Sequence, residues 1–127
     1  MIPLVLELAL SRREALTVFG CDYPTRTGTC IRDYVHVSDL TQAHIHALQA
    51  LQTGRASMTF NLGTSREYTF REVVDTAASV TFRPMPLVEN NRRIGDPVVI
   101  VAESDVIRND LGCSSVYGDL ETIIETA

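Results

Sequence analysis

Apolar residues recur along this chain at two spacings, one typical of helices and one typical of strands. Near the start, four of them fall on one helical face: Ile2, Val5, Leu8 and Ala9. This period predicts a helix that ends near Arg13. The next apolar run, residues 16–20, is short and contains Thr, Val and Phe, so we expect a strand there. Pro24 and Gly28 mark residues 21–29 as a turn-rich loop.

The segment after this loop changes from a strand pattern to a helix pattern. Residues 33–37, Asp-Tyr-Val-His-Val, place side chains on alternating faces, as a strand does. Ser38 or Asp39 can then cap a helix that runs to about Leu51. Its predicted buried stripe has four members: Leu40, Ala43, Ala47 and Leu51. Residues 58–63, Met-Thr-Phe-Asn-Leu-Gly, predict a second short strand.

The strongest local signal is a capping box. Thr69 is followed three residues later by Glu72, a pair that typically begins a helix. Two residues flank this pair at the positions of a hydrophobic staple: Tyr68 and Val73. We therefore expect a helix over about 70–80. The prolines within residues 84–90 would interrupt a central ladder, so this segment suits an edge strand.

The last third of the chain predicts two short helices. A polar turn and an extended apolar run precede a helix that begins about Asp105 and ends at Gly112, a residue suited to the left-handed conformation after a helix. A final helix begins at Asp119. Strands and helices thus alternate, which predicts a mixed α/β fold in which residues 1–127 form a single domain.

The composition argues against two kinds of binding partner, nucleic acids and membranes. The chain of 127 residues has a formal net charge of −5, whereas nucleic acids and anionic membranes are bound mainly through basic surfaces. We therefore expect neither partner. The apolar start has no basic segment before it, no cleavage site after it and too few residues to span a bilayer. The three cysteines lack the spacing of a metal site or a disulfide framework. Together, these features predict a cytoplasmic protein with free thiols.

The ionisable side chains exclude several kinds of catalytic and metal site. All eleven basic residues are arginine, so the chain itself can form neither a Schiff base nor a Tyr-x-x-x-Lys proton relay. His44 and His46 fall on nearly opposite helix faces and cannot hold one metal ion together, and His36 suits a structural role. After these exclusions, two arginines in unusual settings are left as candidate functional residues, Arg32 and Arg93. A guanidinium fork suits a phosphate, although an exposed Arg–Asp pair without a ligand fits the same local pattern.

Three segments carry a family resemblance through their sequences and their order along the chain. They are TVFGCDYPTRTGTCIRDYVHVSDLTQAH, FNLGTSREYTFREV and RRIGDPVVIVAESD. With them the chain resembles the C-terminal portion of UDP-glucose 4-epimerases, which are extended short-chain dehydrogenases/reductases. The resemblance implies a substrate-binding lobe joined to the last strand and helix units of a Rossmann fold, without the N-terminal part that binds NAD.

The resemblance also implies seven substrate-binding residues: Thr17, Val18, Phe19, Arg32, Arg93, Asp96 and Ile100. The first three would form the wall against which uracil lies, and the two arginines would clamp the diphosphate. The aspartate would accept hydrogen bonds from the ribose hydroxyls, as a short carboxylate can from a vicinal diol. The isoleucine would line the substrate site. We also expect Asp33 to steady Arg32.

The implied function belongs to a longer enzyme that interconverts UDP-glucose and UDP-galactose with NAD. For this chain alone we expect UDP-sugar binding, weak or lost, with no catalytic residue, no bound NAD and no metal. Two alternatives stay open. One is a non-enzymatic interaction or scaffold protein that reuses the lobe, and the other is a fragment of another nucleotide-sugar decarboxylase or dehydratase.

The resemblance has a consequence for assembly. In the resembled fold, residues 58–63 and the helix that begins after Ser38 pack on an N-terminal sheet. Without that sheet, Phe60, Leu62 and part of the predicted stripe lack partners, and exposed apolar surface of this kind tends to pair with another chain. We therefore expect a homo-oligomer, or association with a missing N-terminal half.

Overall fold

The computed structural model describes residues 1–127, which form five helices and five short strands. The helices are α1 (Ile2–Ala9), α2 (Val37–Gln52), α3 (Phe70–Thr81), α4 (Asp105–Leu111) and α5 (Leu120–Glu125). The strands are β1 (Leu16–Phe19), β2 (Ile31–Arg32), β3 (Tyr68–Thr69), β4 (Leu87–Asn90) and β5 (Val99–Ile100). The predicted mixed α/β class is confirmed. None of the helices combines the length and the apolar character needed to cross a membrane.

The strands form two small sheets. β1 pairs in parallel with β4, with Phe19 opposite Asn90. β2 lies at the centre of the second sheet, antiparallel to β3 and parallel to β5, in a register that sets Arg32 opposite Ile100. The edge strand predicted within 84–90 is confirmed, because β4 pairs on one side only.

The core forms where α1, α3 and α5 pack together with β1. α3 contributes Val73, Val74 and Ala77, which the helical period places on one face. Eight buried residues make up this cluster: Val5, Leu8, Leu16, Val73, Val74, Ala77, Leu120 and Ile124. Val18 is buried as well, so β1 is anchored through alternate side chains. This anchoring fixes the strand that forms one wall of the site described below.

The predicted capping box of α3 is confirmed. Thr69 Oγ1 accepts a hydrogen bond from the Glu72 N–H (3.2 Å), and Glu72 Oε2 accepts one from the Thr69 N–H (2.8 Å). α3 runs to Thr81, close to its expected end. The last two helices also match the prediction, because Gly112 is left-handed after α4 (φ 66°) and the Asp119 carboxylate caps α5.

The start of α2 differs from the prediction. β2 ends before residue 33, so residues 33–37 are not a strand, and Val37 is already helical. The cap is His36, whose Nδ1 accepts a hydrogen bond from the Ser38 N–H (3.0 Å), and not Ser38 or Asp39. An imidazole nitrogen can accept in the place of the hydroxyl or carboxylate that usually caps a helix.

Asp39 instead ties α2 to the loop after α4. Its carboxylate accepts hydrogen bonds from the Ser115 hydroxyl (2.6 Å) and from the N–H groups of Val116 and Tyr117 (3.1 Å each). Burial raises the pKa of this carboxyl, but the three donors together outweigh burial and hold the pKa below its ordinary value. The loop is thereby fixed on the first turn of α2.

Three other expectations differ from the structure. α1 ends at Ala9, about one turn earlier than predicted. Residues 58–63 form no strand, because no neighbouring strand pairs with them. The stripe predicted for α2 is buried only at Ala43, whereas Leu40 and Leu51 are 42% and 51% exposed. The physical reason is that α2 packs chiefly on the short helix α4, which covers little of it.

Candidate functional site

One cavity gathers six of the seven predicted site residues. It has a volume of about 310 Å³ and lies beside β1, β2 and the turn at 93–96. The six are Thr17, Val18, Phe19, Arg32, Arg93 and Asp96. Ile100 is not among the lining residues; it lies on β5, opposite Arg32, and is half exposed. The six come from three distant segments, so the tertiary fold brings them together.

The backbone of β1 is free along one edge. The N–H groups of Leu16 and Gly20 donate to carbonyls of the chain at β4, both at 2.9 Å. In a parallel pair, only alternate residues of a strand bond to the neighbouring strand, so the backbone N–H and C=O groups of Thr17 and Phe19 point away from β4. Val18 has a buried side chain and supports the wall from the core side.

Arg32 is held by three acceptors. Its Nη2 donates to Asp96 Oδ1 (2.5 Å), and its Nη1 donates to the carbonyls of Ile31 (2.6 Å) and Pro97 (3.0 Å). The Arg32 and Asp96 side chains are 23% and 24% exposed, so the pair remains accessible from the cavity. The expected support of Arg32 by Asp33 is wrong, because neighbouring residues of an extended chain face opposite sides.

Asp33 faces the other way and fastens two loops. Its Oδ1 accepts hydrogen bonds from the N–H and the hydroxyl of Thr64 (3.1 and 2.6 Å), and its Oδ2 accepts one from the Ala102 N–H (3.4 Å). Gly63 packs against the same carboxylate, where a Cβ would collide with Oδ2. Asp33 therefore holds together the segments that precede α3 and α4.

Arg93 lies at the cavity without an ion-pair partner. Its guanidinium carbon is 3.8 Å from the centre of the Phe19 ring, which is a cation–π contact. The Asp96 N–H donates to the Arg93 carbonyl (3.2 Å), and Gly95 is left-handed (φ 81°), so the chain turns sharply here. Stacking on the ring leaves the N–H donors at the guanidinium edges available to an anion.

Six further residues line the cavity: Met1, Leu4, Thr29, Cys30, Tyr34 and Phe70. Among these, Tyr34 carried a sequence signal, because it is two positions from Arg32 and thus on the same face of an extended segment. Burial, the largest influence, raises the pKa of the Tyr34 hydroxyl to about 12. The others come from distant segments that no local pattern connects.

The cavity is locally positive although the chain is acidic. Two guanidinium groups, from Arg32 and Arg93, are matched by one carboxylate, from Asp96, in a chain whose net charge is −5. Paired guanidinium forks suit an anion that presents several charged oxygens. Beside them lie the free backbone edge of β1 and the Phe19 ring. The arrangement can therefore hold an anion that is joined to a flat polar ring.

Arg26 fixes the loop at 21–29 onto the start of α3. Its Nε and Nη2 donate to the two Glu72 carboxylate oxygens, both at 2.6 Å, and Nη2 also donates to the Glu67 carbonyl (2.5 Å). The hydrogen bonds from Arg26, the largest influence, lower the pKa of Glu72 to about 2. This loop leads directly into β2, so the contact of Arg26 with Glu72 helps to position Arg32.

The histidines of α2 contact different neighbours, as the helical period predicts. His44 Nδ1 donates to the Leu40 carbonyl (2.7 Å), whereas His46 Nδ1 lies 3.3 Å from Cys113 Sγ. The structure contains no group of three or more His, Cys, Asp or Glu side chains placed to hold a metal ion.

Comparisons with known proteins point to one group of enzymes. The model of the NAD dependent epimerase/dehydratase family matches residues 1–63. The UDP-glucose 4-epimerase of Lacticaseibacillus casei is 42% identical over 127 residues, which are 100% of this chain and 38% of that protein. The solved UDP-glucose 4-epimerase from Brucella ovis, in complex with NAD, is 42% identical with a TM-score of 0.94, over 99% of this chain and 39% of that one.

A more distant structure has the same fold and contains a nucleotide. The UDP-glucose 4-epimerase from Bifidobacterium longum, in complex with NAD+ and UDP, is 27% identical with a TM-score of 0.87, over 98% of this chain and 36% of that one. The chain thus spans less than two fifths of the length of these relatives. Its α/β architecture is consistent with a fragment of the extended short-chain dehydrogenase/reductase Rossmann fold. By sequence and by fold, the chain is homologous to the C-terminal portion of the UDP-glucose 4-epimerases.

Proposed function

We propose that this chain binds the UDP part of a nucleotide-sugar in the cavity beside β1, β2 and the 93–96 turn. The observation that carries the proposal is the convergence of Arg32, Arg93 and Asp96 on one cavity. The homologous enzymes supply the ligand class, since the Bifidobacterium longum structure contains UDP.

The two arginines bind the diphosphate. Arg93 has no carboxylate partner and can donate to a phosphate without breaking an ion pair. Arg32 is paired with Asp96, so a phosphate must share or replace that contact. The Asp96 carboxylate then gains other partners for the contact that it loses, because it accepts hydrogen bonds from the ribose hydroxyls of the same ligand. Each charge-assisted contact is worth about 1.5–3 kcal/mol.

The uracil ring lies along the free edge of β1. Uracil presents one N–H donor between two carbonyl acceptors, and the backbone groups of Thr17 and Phe19 offer the complementary C=O and N–H groups. Cytosine has an amino donor where uracil has a carbonyl, so the same edge disfavours it. Val18 holds this edge in place from the core. We place Ile100, beside Arg32 on β5, along the sugar that extends past the diphosphate.

We expect binding without epimerisation by this chain alone. The resemblance assigns proton transfer to a Tyr-x-x-x-Lys pair, and the chain contains no lysine. The hydride chemistry that uses NAD then belongs to the portion of the relatives that this chain does not match. The chain supplies the part of the site that binds the nucleotide-sugar, and we expect it to bind no NAD by itself.

Calorimetric titration with UDP, UDP-glucose, CDP and ADP tests this function. We expect UDP and UDP-glucose to bind, and CDP and ADP to bind at least about tenfold more weakly, because a mismatched base leaves polar backbone groups unpaired. Equal affinities for UDP, CDP and ADP would indicate a phosphate site without base recognition. No binding of any nucleotide would favour a non-enzymatic interaction protein and contradict the proposal.

A further inference from the structure

A thiol and an imidazole are in contact between α2 and the loop that follows α4. Cys113 Sγ lies 3.3 Å from His46 Nδ1, within hydrogen-bond distance for a sulfur atom. Both side chains are partly buried, and Cys113 is in no disulfide. A histidine beside a cysteine can act as the base that activates a nucleophilic thiol. Neither residue lines the cavity proposed for nucleotide, so this pair does not depend on the proposed function.

The pair forms part of the wall of a second cavity, which lies between α2 and the loop at 112–116. This cavity has a volume of about 240 Å³, and Asp39, Gln42 and Ser114 also line it. The volume is roughly that of eight water molecules, so a small organic molecule can enter. A molecule in the cavity would lie directly beside the thiol.

The pair lies on the opposite face of α2 from the exposed apolar residues of this helix. His46 is two positions from both His44 and Leu48, and two residues of a helix turn through roughly 200°. Leu48 is 56% exposed, whereas His46 faces the loop after α4. The pair is therefore separate from the apolar face that the resemblance assigns to contact with an N-terminal sheet.

The Cys113 thiol needs a base in order to react. Burial raises its pKa above the ordinary value, so the thiol keeps its proton at neutral pH, whereas the thiolate is the form that attacks. In the contact with His46, the S–H group donates and Nδ1 accepts, because neutral imidazole has one nitrogen without a proton. The same nitrogen can take the thiol proton when sulfur attacks. His46 also lines a neighbouring cavity of about 350 Å³, through which the proton can reach water.

We propose that Cys113 is a modification site for small disulfides, with His46 as the general base. Cys113 Sγ forms a bond to one sulfur of the reagent, the S–S bond of the reagent breaks, and the other half leaves as a thiolate. The Cys113 proton passes to His46 Nδ1 and then, through water, to the leaving thiolate. Cys113 is thereby oxidised to a mixed disulfide, and one half of the reagent is reduced to a thiol.

The charge of the cavity selects among such reagents. Its lining contains one carboxylate, Asp39, whose hydrogen bonds keep it ionised, and no arginine. A cationic disulfide is therefore favoured over an anionic one. Cys30 offers an internal comparison, because it lines the nucleotide cavity together with two arginines and should favour the anionic reagent.

Reaction with cystamine, a small cationic disulfide, tests the site. Proteolysis and mass spectrometry give the rate at each cysteine, and we expect Cys113 to be modified faster than Cys21 or Cys30. His46→Gln removes the base and keeps a polar side chain, and should slow the reaction at Cys113 at least about tenfold. His44→Gln makes the same change on the opposite face of α2 and should leave that rate unchanged. Circular dichroism of both variants checks that the helix is retained.

A second reagent, the anionic disulfide dithiodipropionate, tests the charge of the cavity. The ratio of the rates at Cys113 and Cys30 cancels the intrinsic reactivity of each reagent, and it should be at least about threefold higher with cystamine. If His46 only covered the thiol, its loss would expose sulfur and speed the reaction. Modification mainly at Cys21 or Cys30, an unchanged or faster rate at Cys113 in His46→Gln, an equal loss in His44→Gln, or equal ratios with the two reagents would overturn the proposal.

Discussion

Asp96 serves two partners in the proposed binding mode. In the structure it pairs with Arg32, and with nucleotide present it would also accept hydrogen bonds from the ribose. The two roles can be separated, because pyrophosphate has the charges of the ligand but no ribose. A variant that removes the negative charge and keeps the shape should therefore affect the two ligands differently.

We predict that Asp96→Asn weakens UDP binding about tenfold, since the ribose loses a charged acceptor. Pyrophosphate should bind as well or more tightly, because Arg32 is released from its ion pair and no carboxylate repels the phosphates. Calorimetric titration of both ligands measures the difference. If UDP and pyrophosphate weaken equally, Asp96 acts only by positioning Arg32.

A second prediction concerns Glu72, whose pKa is lowered to about 2 by hydrogen bonds from Arg26, the largest influence, and from the Thr69 N–H and hydroxyl. A pKa depressed in the folded state contributes stability that is complete above about pH 5 and is lost as the pH falls toward 2. Glu72→Gln removes this contribution and keeps a side chain that suits the capping box. The Arg26 and Glu72 side chains are 43% and 34% exposed, so screening limits the loss to about 1–2 kcal/mol.

Urea unfolding of wild type and Glu72→Gln at several pH values measures this effect. The free energies of unfolding should differ at pH 7 and converge as the pH falls from about 5 toward 2. Glu14→Gln changes an exposed glutamate with no ion pair in the structure and serves as the control. A difference for Glu72→Gln that stays constant across this range would mean that the ion pair contributes nothing.

At the scale of elements, the segments that could be predicted are those whose signals are local. The start of α3 was predictable because both partners of its capping box, Thr69 and Glu72, lie within one turn. The same holds for the Asp119 cap of α5 and for Gly112 after α4. In each case, short-range hydrogen bonding or backbone conformation decides the structure, and tertiary contacts agree with it.

The elements that could not be predicted depend on distant contacts. His36 caps α2 while its Nε2 lies within hydrogen-bond distance of the Thr126 hydroxyl (2.9 Å), a partner 90 residues away. Residues 58–63 have a strand-like sequence but no neighbouring strand. The face of α2 that is buried depends on where α4 packs, which the periodicity of α2 alone does not reveal.

The end of α3 offers a stability prediction. Phe82 has a left-handed backbone (φ 53°), and its side chain is 92% exposed. A non-glycine residue in this conformation costs roughly 1–2 kcal/mol, and the exposed ring gives little burial in return. We predict that Phe82→Gly raises the free energy of unfolding by about 1 kcal/mol, or Tm by roughly 3–6 °C.

Phe82→Ala provides the matched control for this prediction, because it removes the ring but keeps a Cβ in the left-handed conformation. Thermal unfolding followed by circular dichroism compares the three proteins. Stabilisation by glycine and not by alanine would confirm backbone strain as the cause. Equal stabilisation by both would instead attribute the gain to removal of an exposed aromatic ring.

At the scale of the whole molecule, the candidate site was partly predictable. The residues themselves singled out Arg32 and Arg93 only by their settings, and the family resemblance assigned both to a diphosphate and added Asp96 and the β1 wall. Their meeting in one cavity is a property of the tertiary fold. The contact of Arg93 with Phe19 had no sequence signal, because it joins residues 74 positions apart that follow no shared period (93 − 19 = 74).

In the proposed binding mode, Arg93 and Arg32 together hold the diphosphate of a uridine nucleotide. The most direct measurement is the calorimetric affinity for UDP of the wild type, Arg93→Ala and Arg83→Ala. Arg83 is an exposed arginine with no ion pair and no place in the cavity, so it controls for the loss of one positive charge. We predict that Arg93→Ala weakens UDP binding roughly 10- to 100-fold and that Arg83→Ala changes it by less than about twofold. Wild-type affinity in Arg93→Ala, or equal losses in the two variants, would contradict the claim.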